Sequence, residues 1–153
     1  MAFYASYFTA HSKADDIKNM IDKPNGIKVS KRLYELKKTE DRSNKENDLI
    51  GVFEVAEELY ARGFYISNVD IDKSQAEKWL IDKEKGCLIP PFSTIESLGS
   101  VKANDIVNAR EEKPFLSKED FKTRTGVSKT VFDTMNQMKI LDSLNDSDQL
   151  TLF

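Results

Sequence analysis

Hydrophobic positions recur at helical spacing through the first part of the chain. Residues 2–10 are apolar and aromatic, and a helix is predicted over Ala14–Ile21, ahead of the helix-breaking sequence DKPNG. An amphipathic helix is predicted over residues 27–38 from three apolar residues at helical spacing, Val29, Leu33 and Leu36. These segments predict a helical N-terminal region.

The strongest helix signal covers residues 44–62. Ser43 followed three residues later by Glu46 is the signature of a capping box. Apolar residues occupy more than one face, which indicates a helix that is buried on several sides. Gly63 stands where a left-handed C-terminal cap is expected.

The pattern changes to short extended segments after Gly63. Residues 64–66 and 69–71 are predicted as extended, and residues 79–81 and 87–89 flank a turn-like sequence, which predicts a small β-hairpin. Pro90 and Pro91 then end the hairpin.

Residues 92–138 show the same pattern twice, a short helix, a glycine turn and a second helix. In the first unit Phe92, Ile95 and Leu98 predict the short helix, and residues 100–110 predict the second. The second unit begins at Ser117 as N-cap and turns at Gly126 before a helix over residues 128–138. The predicted fold is therefore mainly α with a small β-hairpin.

Two tight turns between helices are candidate phosphate sites. Backbone N–H groups at a helix start and the helix dipole bind phosphate without many lysines. The middle apolar residue of each turn would fill the gap between the helices, and a lysine follows in the next turn. The candidate residues are Ser97, Leu98, Gly99, Ser100, Lys102, Gly126, Val127, Ser128 and Lys129. Plain antiparallel helix packing with glycine C-caps explains the same pattern and stays open.

The last five residues, QLTLF, form a candidate docking peptide. A polar residue followed by apolar and aromatic ones suits a polar notch beside an apolar pocket, where the aromatic side chain supplies most of the affinity. The anchors are Gln149, Leu150, Leu152 and Phe153. The alternative is a tail that folds back on its own core, or a frayed end.

Composition removes several classes of function. The 153 residues carry a net charge of −3, which argues against a nucleic-acid binder that works by charge alone. A single cysteine, Cys87, and a single histidine, His11, exclude an internal disulfide and the usual zinc site. No apolar run is long enough for a membrane span. Asp70 and Asp72 are weak metal candidates, and a solvated strand edge is the favoured interpretation.

Several stretches resemble the C-terminal end of the PolC-type replicative DNA polymerase III α subunit of Gram-positive bacteria. They are AFYASYFTA near the start, RGFYISNVDIDKS (62–74), LIPPFSTIESLGS (88–100), IVNAREEKPFLSKEDF (106–121), TGVSKT (125–130) and the terminal QLTLF. The resemblance runs nearly end to end. Its most specific parts are the AREE–FLSKEDF string and the terminal pentapeptide.

The resemblance implies three regions and their partners. Residues 1–62 would be the end of a helical fingers domain, residues 63–145 a duplex-DNA-binding domain with tandem helix-hairpin-helix units over 92–138, and residues 146–153 a mobile, extended tail carrying the motif that binds the sliding clamp. The implied partners are duplex DNA, the clamp (β subunit) and the remainder of the polymerase, without a membrane. The implied location is the bacterial cytoplasm, at the nucleoid.

The resemblance also limits the chemistry. The family's catalytic aspartates and their magnesium lie in a palm domain that this sequence does not contain, so the chain is expected to be inactive as a polymerase by itself and to need no cofactor, apart from a monovalent cation at a hairpin. Each hairpin keeps only one glycine of the usual Gly-apolar-Gly, because Ser97 and Ser128 replace the others. A serine at a position with positive φ is strained. The remaining alternative is a non-catalytic protein–protein adaptor whose hairpins are purely structural.

Overall fold

Four helices form the first part of the molecule. The computed structural model describes residues 1–12 and 16–147. The helices are α1 (Ala2–His11), α2 (Ile17–Met20), α3 (Ile27–Lys38) and α4 (Asn44–Ala61). Helix α2 is shorter than the predicted Ala14–Ile21: it ends where Ile21 turns to extended backbone, and residues 13–15 lie outside the described residues. Within the described ranges no helix is long and apolar enough to cross a bilayer.

Both ends of α4 follow the local sequence signals. The Ser43 hydroxyl accepts a hydrogen bond from the Glu46 amide at 3.1 Å, and the Glu46 carboxylate accepts one from the Ser43 amide at 3.2 Å. The predicted capping box is therefore confirmed. Gly63 has a φ of 88°, the left-handed conformation expected after the helix.

Three short strands follow α4 and form one sheet. They are β1 (Tyr65–Ile66), β2 (Leu80–Asp82) and β3 (Cys87–Ile89), in the order β1-β3-β2. Strands β2 and β3 form the predicted antiparallel hairpin. Strand β1 pairs in parallel with β3, with Tyr65 opposite Cys87. The small sheet is thus larger than the hairpin that the sequence predicted.

Residues 69–71, predicted as extended, form no strand. Residues 71–73 form a turn. The Asp70 carboxylate causes it, because one oxygen accepts hydrogen bonds from the Asp72 amide at 2.8 Å and the Lys73 amide at 3.1 Å. Asp70 and Asp72 therefore do not alternate along a strand face, and Asp70 acts as a turn cap.

The second half is helical, with one difference from the prediction. Its elements are a 3₁₀ turn (Phe92–Thr94), α5 (Ser100–Glu112), α6 (Lys118–Thr125) and α7 (Lys129–Gln137). The short helix predicted over residues 92–98 is limited to this 3₁₀ turn, because Ile95 adopts an extended backbone with ψ of 129°. Phe92, Ile95 and Leu98 are nevertheless all buried, as their spacing indicates. The fold is mainly α with a small sheet.

The apolar side chains form two clusters. The first combines α1–α4 with Ile66, Trp79 and Leu88, so the sheet packs on the N-terminal helices. The second spans residues 69–141 and holds both hairpin units. Met138 packs against both clusters, and its carbonyl accepts a hydrogen bond from the Asn68 side chain at 2.6 Å. The end of α7 is therefore attached to the first half of the chain.

The buried Tyr60 hydroxyl joins three segments of the first half. It donates to the Met20 carbonyl at 2.7 Å and accepts from the Asp22 amide at 2.9 Å and the Ile66 amide at 3.2 Å. Burial raises the pKa of Tyr60, although the two amide donors act in the opposite direction. A Cβ at Gly26 would lie 2.6 Å from the Tyr60 ring, so the turn before α3 needs glycine.

Candidate nucleic-acid interface

The two turns between helices are structurally equivalent. Residues 97–99 lead into α5, and residues 126–128 lead from α6 into α7. The first residue of each turn is left-handed, with φ of 67° at Ser97 and 66° at Gly126. The third residue of each turn is an extended N-cap, with φ of −77° at Gly99 and −67° at Ser128. Only the first position of the Gly-apolar-Gly pattern therefore requires positive φ.

Ser97 and Ser128 stand where the usual hairpin pattern has glycine, and the structure shows that their backbone conformations differ. Ser97 occupies a left-handed position and carries the strain cost of a residue with a Cβ there. Ser128 carries none, and its hydroxyl accepts a hydrogen bond from the Val131 amide at 3.2 Å. The serine in the second hairpin is therefore a favourable helix cap, whereas the serine in the first is tolerated at a cost.

The apolar residue at the centre of each turn points inward. Leu98 and Val127 are buried in the second cluster, between the helices that their turns connect. Their neighbours in both turns are exposed. Each turn therefore presents backbone and small side chains to solvent, which is the geometry that phosphate binding needs.

The start of α5 is the more open of the two helix starts. Gly99 offers no side-chain cap, and a Cβ built on it would have nothing within 4 Å. Within residues 16–147 no hydrogen-bond partner is assigned to the amides of Ser100 and Val101 in the first turn. These donors and the positive end of the helix dipole face solvent. The first hairpin therefore has more free donors at its helix start than the second, in which Ser128 already occupies one amide of α7.

Lys102 brings the two hairpins together. Its Nζ lies 3.4 Å from the Thr125 carbonyl oxygen, and a Cβ at Gly126 would be 3.1 Å from it. Asp105 is 3.5 Å away on the same helix. Lys102 therefore places an ammonium group between the two turns, and Asp105 offsets part of its charge. Lys129, the other candidate, is exposed at the first position of α7.

Arg124 holds the connection between the two units, and Arg110 joins α5 to the turn that follows Asp70. Arg124 donates to the carbonyl oxygens of Lys113 at 2.9 Å and Pro114 at 3.2 Å, and it pairs with Asp120 at 3.0 Å. Arg110 donates to the Ser74 carbonyl at 2.7 Å. Sequence reasoning missed these contacts, although the i,i+4 spacing of Asp120 and Arg124 was a visible signal.

The neighbours of Asp120 favour its ionised form. Burial opposes ionisation, but the hydrogen bond from the Leu116 amide and the Arg124 guanidinium outweigh it, and the pKa of Asp120 lies below its ordinary value. The ion pair between Asp120 and Arg124 is largely buried. It therefore belongs to the scaffold that sets the hairpins relative to each other.

The predicted docking peptide cannot be placed. The described residues end at 147, before its four anchors, Gln149, Leu150, Leu152 and Phe153, so their role stays a prediction. Residues 145 and 146, just before them, accept hydrogen bonds from the Lys118 and Glu119 amides at the start of α6.

Among residues 1–12 and 16–147, no group of three His, Cys, Asp or Glu side chains is placed to share a metal ion.

Comparison with known proteins gives one family-model match and several relatives. The model of the helix-hairpin-helix motif matches residues 63–150. The protein DNA polymerase III PolC-type of Listeria monocytogenes is 43% identical over 151 residues, which cover 99% of this chain and 10% of the relative. The same protein of Pediococcus pentosaceus is 42% identical over 154 residues (100% and 10%), and that of Ureaplasma parvum is 38% identical over 160 residues (100% and 11%). The chain therefore spans about a tenth of the length of these curated relatives.

Proposed function

Because the chain belongs to the helix-hairpin-helix family and is homologous along its length to part of PolC-type DNA polymerase III, we propose that it is the C-terminal region of such a polymerase, where it binds duplex DNA and tethers the enzyme to the sliding clamp. The catalytic aspartates and their magnesium would lie in the parts of the polymerase beyond this tenth. The chain itself then acts as a binding module and needs no cofactor.

The observation that carries the duplex-binding proposal is the uncapped start of α5. The exposed amides of Ser100 and Val101 would donate to a phosphate oxygen, and the open space at Gly99 would admit the DNA backbone. Lys102 would add charge from the side of the second hairpin. Contacts of this kind fix position on the duplex without reading its bases. The affinity would be modest and independent of sequence.

The position of Lys102 bears on which of the two turns could hold a monovalent cation. At the second turn the Lys102 ammonium already lies 3.4 Å from the Thr125 carbonyl oxygen. A bound cation there would meet a like charge at close range. We therefore propose the first turn, rather than the second, for any such cation.

The clamp tether would make weak DNA binding sufficient. A docking peptide that holds the polymerase on a ring around the duplex raises the effective concentration of the hairpins near DNA. The enzyme then stays on the template while individual phosphate contacts form and break. Support for this part comes from the QLTLF sequence itself, with Gln149 and Phe153 at its two ends.

Duplex binding is tested by titrating the 153-residue chain into a fluorescently labelled DNA stem-loop. Lys102→Glu and Gly99→Ala are expected to weaken binding, the first by charge reversal and the second by filling the space where the backbone approaches. Lys83→Glu, in the exposed turn between β2 and β3, is the charge-matched control. The slope of log affinity against log salt concentration should become shallower by about 0.9 for each phosphate that a variant no longer binds. Equal binding by all variants would leave the hairpins purely structural and favour the adaptor.

Clamp binding is tested by calorimetry with the bacterial clamp. Deletion of residues 149–153 is expected to abolish binding while the helical circular dichroism is unchanged. A matched control replaces only Thr151, the variable position of the motif, with alanine and should bind as the parent does. Unchanged affinity of the truncated chain would show that the pentapeptide is not the tether.

A further inference from the structure

One face of α3 carries an exposed stripe of side chains that belongs neither to the apolar clusters nor to the hairpins. The helix buries Val29, Leu33 and Leu36 against its neighbours. At 100° per residue, the residues opposite that face form a continuous line along the helix. We call this line the outer stripe: Ile27, Lys31, Tyr34 and Lys38. All four side chains are exposed, Ile27 to 65% and Tyr34 to 62%.

The charge of α3 is opposite to that of the whole chain. The helix contains five basic residues and one acidic residue, whereas the chain has a net charge of −3. Two of the basic residues are neutralised, since Arg32 pairs with Asp16 at 2.6 Å and Lys37 with Glu54 at 3.5 Å. Within the described ranges, no acidic partner is assigned to Lys31 or Lys38. Three basic residues of α3 thus have no acidic partner among the described residues. Two of them, Lys31 and Lys38, lie on the outer stripe, and the third, Lys28, donates from Nζ to the Lys18 carbonyl oxygen at 3.4 Å.

Tyr34 adds an exposed aromatic ring to this basic surface. Its ring is exposed between the two lysines, and the Lys38 ammonium lies 5.2 Å from the ring centroid. Lys31 and Lys38 are seven residues apart, which corresponds to about 10 Å along a helix. An exposed aromatic ring flanked by cations is the combination that binds a base and its neighbouring phosphates.

We propose that the outer stripe of α3 binds single-stranded nucleic acid, with a base stacked on Tyr34 and the adjoining phosphates at Lys31 and Lys38. An unpaired base offers the face that stacking requires, whereas bases in a duplex are already stacked on one another. An acidic protein segment would satisfy the lysines but offers no flat face to stack on the Tyr34 ring. The inference rests on the proposed function, since a polymerase carries an unpaired template strand as well as the duplex that its hairpins hold.

The test uses fluorescence anisotropy of labelled oligothymidylate with the 153-residue chain. Tyr34→Ala is expected to weaken binding about five- to tenfold, the lower end of the range for loss of one stacked base, while Tyr34→Phe keeps the ring and binds as the parent. The double variant Lys31→Gln/Lys38→Gln should lower the salt slope by about 1.4, or 0.7 per single-strand phosphate. Lys83→Gln/Lys85→Gln, in the exposed β2–β3 turn, removes the same charge and should have no effect.

A DNA duplex measured in parallel distinguishes this inference from the proposed function. Lys102→Glu should weaken the duplex more than the oligothymidylate, and Tyr34→Ala should do the reverse. Failure of the duplex arm alone would refute the hairpin function and leave the stripe supported. Parent-like binding by Tyr34→Ala, or no binding of the oligothymidylate at any salt, would overturn the inference. An effect of the lysine pair without an effect of Tyr34→Ala would also overturn it, since a charge-only surface serves an acidic protein equally well.

Discussion

Replacing Ser97 with glycine should stabilise the protein, although serine-to-glycine changes usually destabilise. Ser97 has a φ of 67°, is exposed, and makes no hydrogen bond through its side chain within residues 16–147. A left-handed backbone costs a residue with a Cβ about 1–2 kcal/mol. Glycine removes this cost but adds freedom to the unfolded chain, worth about 0.4–1 kcal/mol. The net gain is about 1 kcal/mol, or about 3 °C in Tm for a domain of this size.

Two further variants make this reasoning specific to the backbone. Gly126→Ala places a Cβ at the equivalent position, with φ of 66°, and should cost about 1 kcal/mol. Gly99→Ala lies two residues from Ser97 but has a φ of −77° and open space for its Cβ. It should therefore be neutral or stabilise slightly, even though it is expected to weaken duplex binding.

The assay is equilibrium unfolding in urea, followed by far-ultraviolet circular dichroism, for the parent and the three variants. The expected order of free energy of unfolding places Ser97→Gly above the parent and Gly126→Ala below it. A loss of stability in Ser97→Gly, or losses of the same size in Gly99→Ala and Gly126→Ala, would refute the assignment of strain to the first turn position.

Two other predictions concern the scaffold. Tyr60→Phe leaves the amides of Asp22 and Ile66 without their buried acceptor, so we expect a loss of about 2–4 kcal/mol in urea unfolding, and a parent-like midpoint would contradict the role of the hydroxyl. Because the folded pKa of Asp120 lies below its unfolded value, its pairing with Arg124 stabilises above about pH 4 and is lost as the pH falls through the folded pKa. Asp120→Asn should therefore be less stable than the parent near neutrality and lose less stability on acidification, and parallel pH profiles in thermal melts would contradict this.

Elements encoded by neighbouring residues could be predicted from the sequence. The capping box at Ser43 and the N-cap at Ser117 depend on contacts three residues apart, so their signals are local. The antiparallel hairpin depends on a short turn between its strands and is predictable for the same reason. The parallel pairing of β1 with β3 joins residues more than twenty positions apart, and no local pattern specifies such a pairing.

For the hairpins, apolar spacing predicts the positions of the turns but not their backbone conformations or their contacts with each other. The positions of both turns and the inward direction of Leu98 and Val127 follow from apolar spacing. Which turn residue needs positive φ depends on backbone geometry, and the sequence left that question open for Ser97 and Ser128. The contact of Lys102 with Thr125 joins two units that are separate in sequence, so it emerges only from the packing of α5 against α6.

The shared position of Met138 has a consequence for how the molecule unfolds. Its side chain belongs to the border of both apolar clusters, and its carbonyl is bonded to Asn68 in the first half of the chain. Opening either cluster therefore exposes part of the other, which raises the cost of a half-unfolded intermediate. Calorimetry should show a single heat-absorption peak, and the amides of α4 and α5 should exchange with deuterium at a common limiting free energy. The two clusters would then unfold together rather than one after the other.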